Sequence, residues 1–119
     1  MNRILSVLGV AAVGLTLAAP TAAAPTAVPK LTGTVGPGFT ITLKKGTTKV
    51  TKLKRGKYTF VIRDKSNIHN FDLKGPVSKK ITSVSFVGTK TVTLTLKPGK
   101  YTYVCDPHAS SMRGSFKVT

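Results

Sequence analysis

LKPGKYTYVCDPHASSM, residues 96–112, joins a turn, a strand and a loop rich in ligand atoms, and its first ten residues have a close counterpart upstream. LKRGKYTFVI, residues 53–62, repeats LKPGKYTYVC so closely that Ile62 and Cys105 stand at equivalent strand ends. Each copy reads as a Gly-containing turn followed by aromatics at every second position, as two long central strands of a sandwich require. Both are expected to run toward one pole. From Lys30 onward the periodicity is two, with Gly and Pro as punctuation and no convincing helical stretch. The fold class expected is all-β, a Greek-key sandwich of seven or eight strands. Further strands are expected over 31–35, 39–43, 49–53, 81–87, 91–96 and 115–119, with residues 74–80 as a loop around Gly75 and Pro76.

The end of the quoted stretch carries the chemistry. Cys105, His108 and Met112 lie within eight residues at Cys-x2-His-x3-Met spacing. A helix would scatter these side chains over different faces, whereas a tight loop stiffened by Pro107 can turn all three toward one point. Such a point suits a metal. Beyond the first residues the chain holds one Cys, two His and one Met, so His69 would complete the set. Two imidazoles, a thiolate and a thioether make the ligand field of a type 1 copper centre, since soft sulfur suits Cu(I) and imidazole suits Cu(II). One copper per chain is expected, passing one electron at a time.

The loop and the strand after it, CDPHASSM then RGSFKVT, resemble the plastocyanin-like cupredoxins, whose pattern is Cys-x-Pro-His, then Met-x-Gly, then an alternating strand. DKSNIHNFDL, residues 64–73, is similar to the segment that carries the first ligand in that family. Between His and Met this chain has three residues, where plastocyanin has four and amicyanin two. The resemblance implies a type 1 copper site on His69, Cys105, His108 and Met112. It also implies that Asn70 ties the two ligand loops together, with Asp106 as its partner. By the same resemblance His108 lies in an apolar surface patch through which electrons leave, formed here by Gly36, Pro37, Gly38, Pro76, Ala109 and Met112.

Length bounds this chain of 119 residues to one domain. Residues 1–24 read as a secretory signal peptide, with Arg3 in a short basic region, an apolar run over 4–19, and small residues at 22–24. Residues 25–29 read as a flexible leader, and 30–119 as the copper-binding domain. A lone Cys in an exported protein has no internal disulfide partner, and ligation protects its thiol. The expected location is periplasmic, extracellular or at the cell surface.

Charge is strongly biased. Removing Arg3 from the formal +16 leaves +15, with Asp64, Asp72 and Asp106 as the acidic residues and no Glu. A field of that sign attracts redox partner proteins with acidic surfaces and favours weak association with an anionic cell surface. Nucleic acid is not expected as a partner, because the chain shows neither a recognition helix nor a stacking motif. A monomeric carrier, not an enzyme, is the leading expectation, since oxidases and nitrite reductases need further His-rich copper sites and two histidines cannot build one. A copper storage or delivery protein using the same four residues is the alternative.

Overall fold

In the computed structural model, which describes residues 9–18 and 26–119, the period of two becomes ten strands. They are β1 (Lys30–Val35), β2 (Ile41–Lys45), β3 (Thr48–Lys49), β4 (Lys52–Leu53), β5 (Gly56–Asp64), β6 (Phe71–Lys74), β7 (Lys79–Thr82), β8 (Gly88–Leu96), β9 (Gly99–Val104) and β10 (Arg113–Val118). One sheet has the order β3-β2-β1-β5-β8 and the other β4-β10-β9-β6-β7. The all-β sandwich is therefore as expected. Its strand count exceeds seven or eight, because the single strand expected over 49–53 splits in two and β6 forms where none is expected. Thr48–Lys49 pairs with β2 and Lys52–Leu53 with β10, so this segment crosses from one sheet to the other.

The two sequence copies fold alike. Gly56 and Gly99 open β5 and β9 at φ of 143° and 141°, a region that a side chain disfavours. Two residues later the Tyr58 hydroxyl donates to the Lys54 carbonyl at 2.7 Å, and the Tyr101 hydroxyl donates to the Lys97 carbonyl at 2.8 Å. Alternation then buries Tyr58, Phe60 and Ile62 from one sheet and Tyr101 and Tyr103 from the other. Tyr101 stacks on Phe116 and Tyr103 on Phe71, each pair within 6° of parallel. Full burial of one such side chain contributes roughly 1.5–3 kcal/mol. In the Met-x-Gly motif, Gly114 is required by this packing: a Cβ there would lie 2.3 Å from the Tyr103 ring.

Two expectations fail locally. Residues 81–87 are not a strand, since β7 ends at Thr82, whose hydroxyl accepts the Phe71 N–H at 2.8 Å. Beyond it Val84 and Val87 are exposed and no strand pairs with them. Conversely, β6 forms over Phe71–Lys74, where the periodicity points to no strand, by pairing with β9 on one side and β7 on the other.

β1 begins at Lys30, and the Pro29 carbonyl accepts the Thr59 N–H. Residues 9–18 of the expected signal peptide and 26–29 of the leader have no regular secondary structure; the rest of both segments lies outside the described residues. No helix among the described residues is long and apolar enough to cross a membrane.

Candidate metal centre

β5 and β9 deliver their loops to the same pole. After β5, the Ser66 N–H bonds the Asp64 carboxylate and the Ile68 N–H the Ser66 hydroxyl, local turns that bring the chain round to His69. After β9, a 3-10 turn over Asp106–His108 with Pro107 inside it reverses the chain. The Cys105 N–H donates to the Met112 carbonyl at 3.0 Å and the Met112 N–H to the His108 carbonyl at 2.8 Å, so the loop closes on itself.

Three of the four expected ligands converge: Cys105 and His108, which the loop spacing points to, and His69, which the residue inventory adds. Nδ1 of His69 lies 3.1 Å from Nδ1 of His108, and Cys105 Sγ lies 3.6 Å from each. A point equidistant from these three atoms is about 2.0 Å from each, close to the roughly 2.0–2.3 Å of nitrogen and thiolate bonds to a first-row metal. The donor set therefore fits copper. His69 and Cys105 are fully buried and His108 is half-buried. A thiol so enclosed is shielded from substrates, which argues against a Cys–His nucleophile. Nε2 of His69 is buried without a hydrogen-bond partner, so Nδ1 is the nitrogen turned to shared use.

Neighbouring residues hold this triangle. Gly36, at φ 68°, passes so close that a Cβ would lie 3.2 Å from the His69 ring. The Asn70 amide donates to the Asp106 carboxylate at 2.8 Å and its carbonyl accepts the Asp106 N–H at 2.7 Å, a reciprocal pair between the two loops. Burial works against a charge on Asp106, but Asn70, Asp72, Lys80 and Lys74 outweigh it and keep its carboxyl below the usual range. The neighbouring Asp72 is pushed up, by burial first and then by its bond with Asp106 and repulsion from it.

Phe39 is a member of the site that the sequence does not announce. Its ring sits edge-on to both histidines, with centroids 5.2 Å from His69 and 4.9 Å from His108, although it is 61% exposed. Only its place in PGF, two residues past Pro37, could have pointed to it. The apolar patch around His108 also differs from expectation. Phe39 and Ile68 are the large exposed apolar residues on these loops, whereas Met112 is fully buried in the core. Pro76 lies elsewhere, against Gly99 at the start of β9. Backbone hydrogen bonds tie Met112 to both Cys105 and His108.

Among solved structures, a methionine-to-glutamine variant of rusticyanin is 25% identical, with TM-score 0.51 and 76% of each chain covered. Another rusticyanin structure is 21% identical, with TM-score 0.51 over the same shares, and shows the fold alone. A reduced tryptophan-to-tyrosine variant of amicyanin is 19% identical, with TM-score 0.49, covering 80% of this chain and 87% of that one. No curated protein matches the chain. Residues 37–119, from the turn beside His69 to the last strand, match the family of copper binding proteins of the plastocyanin/azurin type, and the protein belongs to that family.

Proposed function

We propose that this protein is an exported one-electron carrier in which Nδ1 of His69, Nδ1 of His108 and Sγ of Cys105 would hold one copper, with the Met112 thioether as a weaker fourth donor. The observation that carries this reading is the triangle of two imidazole nitrogens and one sulfur, with sides of 3.1, 3.6 and 3.6 Å. Bound there, copper supplies one-electron chemistry between Cu(I) and Cu(II). The protein's part is to keep the ligands still. Asn70 and Asp106 lock the two loops, Gly36 admits the His69 ring, and burial excludes water, so little rearrangement accompanies a change of oxidation state. His108 is the ligand nearest solvent, beside the exposed Phe39, and offers a partner its route to the site.

Burial of His69 and Cys105 favours a carrier over a delivery protein, which must release its cargo through open coordination. The partner is a redox protein with an acidic surface, attracted by the net positive charge; the transfer rate to an acidic acceptor should fall as salt is added. Export accords with the apolar, small-residue stretch before residue 25.

The test is spectroscopic. Stoichiometric Cu(II) should give an intense visible thiolate-to-copper band that bleaches reversibly on reduction. Cys105→Ser should abolish it, and Met112→Gln should keep it while lowering the reduction potential. Retention of the band in Cys105→Ser would overturn the ligand assignment, and rapid loss of Cu(I) to a chelator would favour the delivery reading.

A further inference from the structure

All three side-chain carboxylates lie in the half of the sandwich that holds the metal centre: Asp64 ends β5, Asp72 is the second residue of β6, and Asp106 follows Cys105. The opposite pole has no Asp or Glu. There the second sheet sets Lys52, Lys117 and Lys100 side by side on three neighbouring strands, Lys117 being the register partner of both the others. All three are exposed on the outer face, since Phe116 and Val118 take the inner one. The turns at the same pole add Lys54, Arg55 and Lys97. Like charges directly opposite one another destabilise a sheet. Among the described residues the ion pairs involve Lys74 and Lys80 alone, so none of these six is neutralised.

The chain before the domain leaves from this pole. β1 runs parallel to β5, and Pro29 is bonded to Thr59 near the start of β5. In the uncleaved chain the apolar run over residues 4–19 is thus joined to the protein on the side where the lysines gather. A broad end surface of unpaired lysines set across three strands suits an extended anionic plane better than a threadlike polymer, which would be tracked by a basic groove.

We infer that the lysine pole opposite the His69–Cys105–His108 site docks on an anionic lipid bilayer, leaving His108 and Phe39 facing away from the membrane. Docking orients the carrier: the electron port stays open to partners while the protein is confined to the surface. The inference does not depend on copper and can be read with or without it.

The experiment is flotation of the full chain with vesicles of phosphatidylcholine alone and of phosphatidylcholine mixed with phosphatidylglycerol. Two triple variants of equal charge are compared, K52Q/K100Q/K117Q at the lysine pole and K65Q/K79Q/K90Q in the other half. Binding of the parent chain should be roughly tenfold or more stronger on the anionic vesicles, and high salt should remove that preference. The pole variant should lose most of the preference and the other variant should keep it within about twofold. Unchanged circular dichroism of the pole variant separates lost docking from lost fold. Equal binding to both vesicle types would overturn the inference, because the apolar segment alone would then account for it. Equal losses in the two variants would overturn it too, since the charge would then act without a face. So would pole-dependent binding to soluble polyphosphate with none to the vesicles, which would make a free polyanion the partner.

Discussion

The segments that open β5 and β9 differ hardly at all until their last residue. Both use Leu-Lys-x-Gly-Lys-Tyr-Thr-aromatic-Val, both start on a glycine at φ near 140°, and both bend a tyrosine hydroxyl back onto a carbonyl four residues earlier. They diverge at Ile62 and Cys105. Ile62 continues a strand into the core, and β5 runs on to Asp64 before a loop that spends five more residues reaching His69. At Cys105 the strand has ended, and a 3-10 turn brings His108 back within hydrogen-bonding distance. One device thus starts two strands in facing sheets, and the residues beyond it decide which strand becomes scaffold and which becomes site.

Exchanging the two endpoints for the same small residue should separate these roles most sharply. Ile62 is fully buried among Phe60, Phe71 and their neighbours, so Ile62→Ala should cost about 2–5 kcal/mol of stability and leave the visible spectrum of the folded fraction unchanged. Cys105→Ala removes only a sulfur, and should cost the metal-free protein less than about 1.5 kcal/mol while abolishing the band entirely. Denaturant unfolding and optical titration on both variants read the contrast. A band altered in Ile62→Ala would show that β5 tunes the site directly, and that the division between scaffold and site is too clean.

The same comparison explains what the sequence could disclose. His69, Cys105 and His108 were legible because ligand chemistry restricts residue types, and the echo by itself puts both strand ends at one pole. Asn70 and Asp106 were legible through resemblance, and two reciprocal hydrogen bonds join them. Phe39 was not, because an exposed aromatic in a turn carries no periodic signal. Its role arises from a contact across 30 or more residues of chain, with His69 and His108. The strand expected over 81–87 fails for the converse reason. Val84 and Phe86 look like alternation, but a strand exists only where a partner accepts its hydrogen bonds, and β7 leaves its partner at Thr82. Pro76 falls outside the expected patch because a loop's composition does not tell which end of a sandwich it covers.

The tyrosines offer a subtler cut. Tyr58 only donates to Lys54, whereas the Tyr101 hydroxyl donates to the Lys97 carbonyl and accepts the Lys97 N–H at 3.0 Å. Tyr58→Phe should therefore cost about 1 kcal/mol, and Tyr101→Phe about 1–2 kcal/mol because it leaves two backbone groups to find water. Equal losses would mean that solvent at the turn satisfies Lys97 without difficulty, and that the second copy gains nothing from its extra bond.

Where β5 runs past the end of the echo it buries Asp64, and this extension has a consequence opposite in sign. Asp64 is 2% exposed, and one of its carboxylate oxygens has no hydrogen-bond partner. Burial raises its pKa above 3.8, and the Thr82 hydroxyl, the Ser66 N–H and the charge of His69 offset this only in part. The folded protein therefore holds this proton more tightly than the unfolded chain does. Stability from this group is present below pH 3.8 and is lost as pH rises through the raised folded value, so at neutral pH the ionised Asp64 is a net burden. Asp64→Asn keeps the acceptor for Ser66 and removes the buried charge, and should stabilise the metal-free protein by about 1 kcal/mol at pH 7. The gain should shrink as pH falls and vanish below pH 3.8, where the parent carboxyl is protonated in both states. Unfolding free energies at pH 7 and pH 3 for both proteins decide it. A variant less stable than the parent at pH 7 would mean that the carboxylate is held by the surrounding positive field, and that β5 ends in an anchor of the ligand loop.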